Sequence, residues 1–380
     1  MSFDNAPPLS LYVHIPWCVK KCPYCDFNSH ISSRIDEEKY LNALMADLDN
    51  DLKSIESRPI KSIFFGGGTP SIFSPETIHQ IISGAKDRLA FDDKIEITME
   101  ANPGTFEQKN FSDFKAAGVN RLSIGIQSFN DIHLKNIGRI HDSQQALSAI
   151  NTAQEAGFDN INLDLMFGLP EQNIEQAIND IEIACNQNVQ HISHYQLTIE
   201  ANTFFHKHPP VTPEMEDLWE MQNQCHDVLN EQGFQQYEVS AFSKPDKQCI
   251  HNLNYWNFGD YIGIGAGAHG KLTEPKTGII SRRWKHRQPE AYMTYAASNP
   301  VSGSSEIKQD ELIFEFLLNA LRLRNGFSYE IFECNTGLDR GVLIETCKNI
   351  DPELLIINGR GIHTSDTGYR FLNNVLEQFI

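Results

Sequence analysis

Apolar and polar positions change period in a regular way along the first 232 residues. Short runs rich in Ile, Val, Leu or Phe end in turn residues, and longer stretches with apolar residues at helical spacing separate them. The six short runs are Ser10–Trp17, Lys61–Gly68, Lys94–Asn102, Arg121–Ser128, Asn160–Pro170 and His191–Glu200. Six successive strand–helix units of this kind predict a parallel sheet that is covered by helices.

The positions of polar residues favour a barrel over an open, doubly wound sheet. Glu100, Gln127 and Asp164 lie at or near the carboxyl ends of three different runs, and Gly66–Thr69 ends another. Active-site residues of β/α barrels come from the carboxyl ends of several strands, whereas a doubly wound sheet carries one glycine-rich turn after its first strand. We therefore predict an α/β fold in which residues 1–232 form a partial (β/α)6 TIM-like barrel.

The pattern changes after residue 232. Residues 233–304 show short strand-like runs joined by loops, which predicts an extension of the barrel or a linker. A long helical pattern over Gln309–Arg324 follows, and then shorter helical patterns and two strand-like runs around a turn rich in Gly and Asp. Residues 305–380 are therefore predicted to form a small α+β domain of the winged-helix type.

Composition narrows the class of protein. The 380 residues carry a formal net charge of −19, with 40% hydrophobic and 21% charged residues, which is typical of an ordered globular protein. Such an acidic chain disfavours nonspecific binding to nucleic acid, because Lys and Arg make the phosphate contacts. No apolar run approaches the roughly 20 residues of a membrane span, and the start of the chain lacks the pattern of a signal peptide. We expect a cytoplasmic protein without an integral membrane segment, and a transient visit to a membrane surface stays open.

Three of the eight cysteines lie close together in the sequence. Cys18, Cys22 and Cys25 follow the first predicted strand with the spacing C-x3-C-x2-C, and thiolates so spaced can converge on a soft metal centre. Structural zinc sites use four ligands, and the next cysteine, Cys185, falls in a predicted helix. Three thiolates on a [4Fe–4S] cluster would instead leave one iron open to another ligand. A zinc site and a loop without metal remain the alternatives.

This cysteine spacing after a first barrel strand resembles the radical S-adenosylmethionine (SAM) superfamily. The resemblance implies that the cysteines hold a [4Fe–4S] cluster whose open iron binds the amino and carboxylate groups of SAM. It also implies reductive cleavage of SAM to a 5′-deoxyadenosyl radical. The segment Gly66–Pro70, GGGTP, matches the superfamily motif that holds the SAM amino group, and glycines let a backbone approach a ligand closely. A plain tight turn is the alternative for this segment.

The same resemblance implies a larger set of residues around SAM. Carboxylates suit ribose hydroxyls and an ammonium group, an arginine such as Arg139 suits a carboxylate, and Tyr12 matches a tyrosine near the sulfonium. The implied SAM-binding residues are Tyr12, Gly67, Gly68, Thr69, Glu100, Gln127, Arg139 and Asp164. For any one of them, an ordinary structural role is the alternative.

Three segments, LYVHIPWCVKKCPYCDFNSH, GGGTPS and GIQSF, are similar to one branch of the superfamily. That branch contains anaerobic coproporphyrinogen III dehydrogenases and haem chaperones. In the dehydrogenases the cysteine motif continues to a fourth cysteine, at the position of Phe27, and a longer arm precedes the first strand than the roughly ten residues here. The segment His251–Trp256 fits the H-N-x-x-Y-W motif of the chaperones.

Haem binding by this last segment makes chemical sense. His251 could supply an imidazole to haem iron, while Tyr255 and Trp256 offer flat apolar surface for the porphyrin. His269 is a second candidate ligand, and simple packing at the barrel rim is the alternative for the motif. The resemblance thus implies a haem chaperone that delivers haem to apo-haemoproteins. Its first alternative is an enzyme that decarboxylates two propionates of coproporphyrinogen III, and a radical SAM enzyme with another substrate is the second. Whether the chain turns over SAM stays open.

One dense basic segment stands out in this acidic chain. Arg282–Arg287 reads RRWKHR, and the positive charges could meet haem propionates, a partner or anionic lipid. A solvated loop explains the same letters, so the sequence assigns no role to the segment.

Overall fold

A parallel sheet forms the centre of the molecule. The computed structural model describes residue 3 and the ranges 5–32 and 34–379, apart from the side chains of residues 105–107. In chain order, the first part contains β1 (Leu9–Ile15), β2 (Trp17–Cys18), β3 (His30–Ile31), α1 (Glu37–Asp51), β4 (Ile60–Gly67), α2 (Pro75–Lys86), β5 (Phe91–Ala101), α3 (Thr105–Ala117), β6 (Arg121–Gln127), α4 (Asp131–Asn136), α5 (Ser143–Glu155), β7 (Ile161–Phe167), α6 (Ile174–Cys185), β8 (His191–Gln196), α7 (Phe204–Lys207) and α8 (Met215–Glu231).

The rest of the chain adds shorter elements to this centre. They are β9 (Gln235–Glu238), β10 (Ala241–Ser243), α9 (Ile250–Trp256), β11 (Asp260–Ile264), β12 (His269–Glu274), β13 (Ile279–Lys285), α10 (Pro289–Tyr295), β14 (Val301–Glu306), α11 (Gln309–Ala320), β15 (Phe327–Ser328), α12 (Tyr329–Thr336), α13 (Arg340–Cys347), β16 (Leu355–Ile357), β17 (Gly361–Thr364), α14 (Asp366–Arg370) and α15 (Leu372–Leu376). Short 3-10 helices span Leu52–Ser54, Pro70–Ile72 and Glu377–Phe379.

The six predicted strand–helix units form the sheet in chain order. Strands β1, β4, β5, β6, β7 and β8 are neighbours in that sequence, and each pair is parallel. Local signals start the helices between them: the Ser74 side chain accepts a hydrogen bond from the Thr77 amide, with Pro75 at the first helical position. The predicted partial barrel is confirmed.

Each barrel strand has two buried faces with different chemistry. On β1, Leu9, Leu11, Val13 and Ile15 are fully buried in the core that the sheet forms with its outer helices. The intervening residues, including Tyr12, face the barrel interior and contact side chains of neighbouring strands, as the two-residue period of a strand requires. The interior is therefore lined by polar residues that the apolar outer face holds in place.

Residues 233–304 extend both edges of the same sheet. Strand β11 pairs with β1 in parallel, and β12, β13 and β14 follow as antiparallel neighbours. At the other edge, β10 pairs antiparallel with β8, and β9 pairs with β10. The division of the chain at residues 232 and 304 stays a prediction, but the strands between these positions belong to the central sheet.

One expectation for this middle region was wrong. Residues 250–256, which read as a loop, form helix α9. The helix begins beneath the Glu96 carboxylate, which accepts hydrogen bonds from the amides of Ile250 at 3.2 Å and His251 at 3.1 Å. An acceptor that is distant in the sequence thus satisfies the amides that a helix start leaves open.

The C-terminal part has a second apolar core of its own. Its centre includes Phe316, Phe327 and Phe332, and a three-stranded antiparallel sheet, ordered β15–β17–β16, lies beside helices α11, α12 and α13. Helices followed by a hairpin confirm the predicted winged-helix-like arrangement. Within the described part of the chain, no helix is both long enough and apolar enough to span a membrane.

Candidate functional site

A cavity of about 400 Å³ opens at the carboxyl ends of the parallel strands. The loop after β1 forms one wall, and the ends of β4 to β8 form the floor. It is lined by all three cysteines of the motif and by seven of the eight predicted SAM residues: Cys18, Cys22, Cys25, Gly67, Gly68, Thr69, Glu100, Gln127, Arg139 and Asp164. The fold therefore gathers at one end of the barrel residues that are up to 146 positions apart (164 − 18).

The three cysteines share this cavity as free thiols. Thr69 Oγ1 donates a hydrogen bond to Cys18 Sγ at 3.5 Å, and Nη1 of Arg139 donates one to Cys22 Sγ at 3.7 Å. Burial raises the pKa of both the Cys18 and the Cys25 thiol. In the described part of the chain, no three His, Cys, Asp or Glu side chains lie close enough together to hold a single metal ion.

This donor set fits a [4Fe–4S] cluster. Each thiolate of such a cluster binds a different iron atom. The cysteines therefore have to line one cavity but do not have to converge on a single point. Hydrogen bonds from a hydroxyl and a guanidinium to the sulfurs suit an anionic, thiolate-bound group. The residues that are present are therefore compatible with the cluster that the sequence predicts.

The glycines at the end of β4 are required by packing as well as by access to the cavity. Gly67 has φ +111°, and an added Cβ there would lie 2.4 Å from Cε1 of His14. A Cβ on Gly68 would lie 2.4 Å from the carbonyl oxygen of Trp17. Only glycine lets this segment cross β1 so closely and still line the cavity.

Two carboxyl groups face each other across the cavity floor. Burial, and secondly the charge of Asp164, raise the pKa of Glu100 to about 8. Burial also raises the pKa of Asp164, although Ser123 Oγ and Asn162 Nδ2 donate to its oxygens at 2.9 Å and 2.8 Å. A floor of this kind favours a cationic ligand, whose charge would allow both carboxyl groups to ionise.

Arg139 reaches into the cavity from the segment after α4. One of its terminal nitrogens, Nη2, donates to Asn102 Oδ1 at 2.5 Å and to the Gly125 carbonyl at 2.7 Å. Because the other nitrogen points at Cys22, the guanidinium is fixed beside the cysteine loop. Such a fixed fork is well suited to bind a carboxylate at the cluster.

Gln127 and Tyr12 differ from the other predicted SAM residues. Gln127 ends β6 with φ +68°, a strained conformation for a residue with a side chain, and it lines the cavity. Tyr12 lies one layer deeper, where its hydroxyl is 3.0 Å from Nδ1 of His14 and its ring packs beside Phe64. The roles of both residues toward SAM stay predictions.

The H-N-x-x-Y-W segment lies away from this cavity. His251, with 9% of its surface exposed, faces the opposite end of the barrel interior, and its Nδ1 is 2.9 Å from Ser62 Oγ. Burial, and secondly the charge of Arg121, lower the pKa of His251 to about 3, so the ring is neutral. Tyr255 and Trp256 are half-buried and touch each other edge to face. Their assignment to haem stays a prediction.

The basic segment on β13 is engaged within the chain. Lys285 is buried and pairs with Asp47 and Asp51, and Arg282 pairs with Glu315 at 2.5 Å. These pairs remove much of the free positive charge that the letters RRWKHR suggest.

Sequence patterns did not single out several residues that line the cavity. Asn102 lies two positions after Glu100, directly beyond the end of β5, and Ser123 is the register partner of Glu100 on β6. Tyr195 lies two positions after the register partner of Asp164 on β8. The two-residue period of strands, applied from Glu100, would have found Asn102, whereas Ser123 and Tyr195 follow only from the register between strands.

The chain is similar to several known proteins. The model of the radical SAM superfamily matches residues 12–184. The chain is 46% identical to the heme chaperone HemW of Haemophilus influenzae and 45% identical to that of Escherichia coli, over 98% of this chain and of each relative. It is also 33% identical to the mitochondrial radical S-adenosyl methionine domain-containing protein 1 of Danio rerio, over 98% of this chain and 87% of that protein.

A solved structure has the same fold over nearly the whole chain. The coproporphyrinogen III oxidase HemN of Escherichia coli superimposes with a TM-score of 0.82, covering 98% of this chain and 90% of its own. The sequence identity between the two chains is 22%, so this similarity shows a shared fold and nothing more.

Proposed function

The chain belongs to the HemW branch of the radical SAM superfamily, and on that premise we propose that it is a haem chaperone. In this proposal the protein binds haem and delivers it to apo-haemoproteins in the cytoplasm. A [4Fe–4S] cluster and SAM are resident in the barrel, whereas haem is the cargo.

The shared lining of one cavity by the three cysteines, the glycine segment and the carboxyl floor supports the cofactor part of the proposal, and the similarity to HemW over 98% of the chain supports the chaperone part. Cys18, Cys22 and Cys25 would hold the cluster, and Arg139 and Glu100 would take the carboxylate and the ammonium of SAM. When bound, the cluster and SAM supply one-electron chemistry. The chain itself orients SAM, neutralises its charges and shields it among buried side chains.

Phe27 favours the chaperone over the dehydrogenase. It occupies the position at which the dehydrogenases carry their fourth cysteine, lines the cavity, and exposes 58% of its surface. An exposed phenylalanine at the rim offers an apolar contact and no sulfur ligand. Decarboxylation of coproporphyrinogen III is therefore the second candidate, which experiment has to exclude.

An anaerobic activity assay separates these two functions. The reconstituted protein is incubated with coproporphyrinogen III, SAM and a reductant, and porphyrinogens are quantified after oxidation by fluorescence. We expect no protoporphyrinogen above that of a control without protein. Formation of protoporphyrinogen would overturn the chaperone assignment in favour of the enzyme.

Titration with haemin, read in the Soret band, tests the cargo. We expect saturation near one haemin per chain, and a protein that shows no saturable binding is not a haem chaperone. The same titration of His251→Ala tests the predicted ligand, with His79→Ala as the control histidine on the surface of α2. If His251→Ala gives the wild-type spectrum and affinity, His251 does not ligate haem.

The raised pKa of Glu100 leads us to expect that protons are released when SAM binds. Its folded-state pKa of about 8 lies above the ordinary value of 4.5, so it is mostly protonated at pH 7, and a bound cation would favour its ionised form. The number of protons released is measured by calorimetry of SAM binding in two buffers of different ionisation enthalpy. The wild type should release up to about one proton more than Glu100→Gln. Equal release from both proteins would contradict a role of Glu100 beside the SAM cation.

A further inference from the structure

A second large cleft, of about 590 Å³, lies between helix α8 and the C-terminal domain. One wall is a continuous face of α8 that includes Trp219, Asn223 and His226, at spacings of three and four residues. The opposite wall comes from Arg322, Arg324, Asp366 and residues 369–374. Its volume lies in the range of small-molecule sites.

Three arginines, Arg322, Arg324 and Arg370, line this cleft together with two aspartates, Asp227 and Asp366. Arg324 pairs with Asp366, and Arg322 pairs with Glu238 at 3.2 Å. Arg370 has no ion pair among the described residues, and its guanidinium lies 5.8 Å from the ring centre of Trp219. It is therefore free to bind a carboxylate of a ligand.

Aromatic surface accompanies these arginines. Trp219 exposes 40% and Phe371 exposes 52% of their surfaces at the cleft, where Tyr369 also lies. Behind them, Arg322 stacks on Trp256 at 4.3 Å, so the last residue of the H-N-x-x-Y-W segment supports the wall of the cleft. Flat aromatic faces beside arginines suit a planar ligand that carries carboxylates.

His226 also lines this cleft. Its ring packs 4.8 Å from Phe242 and 6.0 Å from His194. Burial lowers its pKa to about 4, which keeps the imidazole neutral at pH 7 with a lone pair for iron.

The cleft adjoins the SAM cavity. Gln196, at the end of β8, lines both of them, so a ligand in the cleft would lie next to the residues that surround the cluster. His251, in contrast, is buried beneath the barrel and would become accessible to haem only if α9 moved.

We propose that this cleft is the haem site, in which Arg370 binds a propionate, Trp219 and Tyr369 contact the porphyrin, and His226 ligates the iron. The inference rests on the proposed chaperone function and adds the place and the contacts of the cargo.

Equilibrium titrations of the reconstituted full chain test this site with two probes, haemin and iron-free protoporphyrin IX. Arg370→Glu should weaken both ligands about tenfold or more, because a charge-assisted hydrogen bond is replaced by repulsion. His226→Ala should weaken haemin alone and shift its Soret band. The matched controls are Arg360→Glu, an exposed arginine on the turn between β16 and β17, and His79→Ala, and neither should change affinity.

The outcomes separate the inference from the proposed function. If the wild type binds no haemin, the chaperone proposal itself fails. If the wild type binds haemin and Arg370→Glu and His226→Ala bind it equally well, the chaperone stands and the cleft is excluded. Loss of haemin binding in His251→Ala but not in His226→Ala would show that haem binds at the H-N-x-x-Y-W segment and not in the cleft. Circular dichroism spectra that match the wild type show that each variant is folded.

Discussion

Replacing Cys22 by alanine should abolish the iron–sulfur cluster. The reconstituted wild type is expected to carry about four iron atoms per chain, and the variant should lose nearly all of them together with the visible absorption of the cluster. Binding of SAM should be lost at the same time, because the open iron is its main anchor in this family. Iron analysis and absorption spectra after anaerobic reconstitution measure both effects.

The size of this effect follows from the position of Cys22. It is the middle cysteine of the loop, and its sulfur receives the hydrogen bond from Arg139. With Cys22 removed, two cysteine thiols remain in the cavity lining. The thioether sulfur of Met166 lines the same cavity, but clusters of this type require thiolates.

Cys185→Ala is the matched control for this variant. Cys185 lies at the end of α6, outside the cavity lining, and it is a free cysteine like Cys22. Its replacement should leave the iron content and the spectrum unchanged. A Cys22→Ala protein that keeps the wild-type cluster would show that the three cysteines are not its ligands.

The local part of the site could be predicted because strands have a simple period. Glu100 and Gln127 are polar residues at the ends of apolar runs, and a parallel sheet brings such ends to one edge. Asp164 lies in the middle of β7, where its charge made it conspicuous in an apolar run. Ser123 and Tyr195 escaped notice because each sits inside an apolar run and reads as part of a strand. Their importance depends on the register between strands, which the sequence does not state.

Helix α9 shows a different limit. Its sequence is rich in asparagine and aromatic residues, which are mediocre helix formers, so local propensity favours a loop. The carboxylate that caps it belongs to Glu96, which precedes Ile250 by 154 residues. Tertiary contacts of this kind override helix propensity, and the sequence of the helix itself does not reveal them.

Local sequence patterns also did not predict which strands form the edges of the sheet. Strand β11 lies parallel to β1 although about 250 residues separate them, with Leu9 opposite Asp260. Asp260 is fully buried there and accepts hydrogen bonds from Arg58, Lys271 and Thr273. A charged residue at the start of a short run does not indicate a central strand until these partners are known.

Replacing Lys285 by methionine should destabilise the fold by about 3–5 kcal/mol, because it removes the cation that two buried carboxylates share, while Arg283 stays 3.9 Å from Asp51 alone. Lys285 is 2% exposed, and its ammonium contacts Asp47 at 2.5 Å and Asp51 at 2.7 Å. The control is Lys276→Met, which breaks an exposed pair with Glu56 and should cost less than about 1 kcal/mol. The free energy of unfolding from urea titrations compares the two, and equal costs would contradict the importance of the buried triad.

The deficit of Lys285→Met should also depend on pH, in a direction that the pKa of Asp47 fixes. Burial raises that pKa to about 6 even though Lys285 opposes the shift, so removing the lysine raises it further. A folded-state pKa above the ordinary 3.8 means that folding favours the protonated acid, and the deficit should shrink from pH 8 to pH 5. Adding Asp47→Asn to Lys285→Met should recover part of the stability at pH 8 and flatten this dependence. A deficit that is constant across this range would show that the cost is lost packing and not unpaired charge.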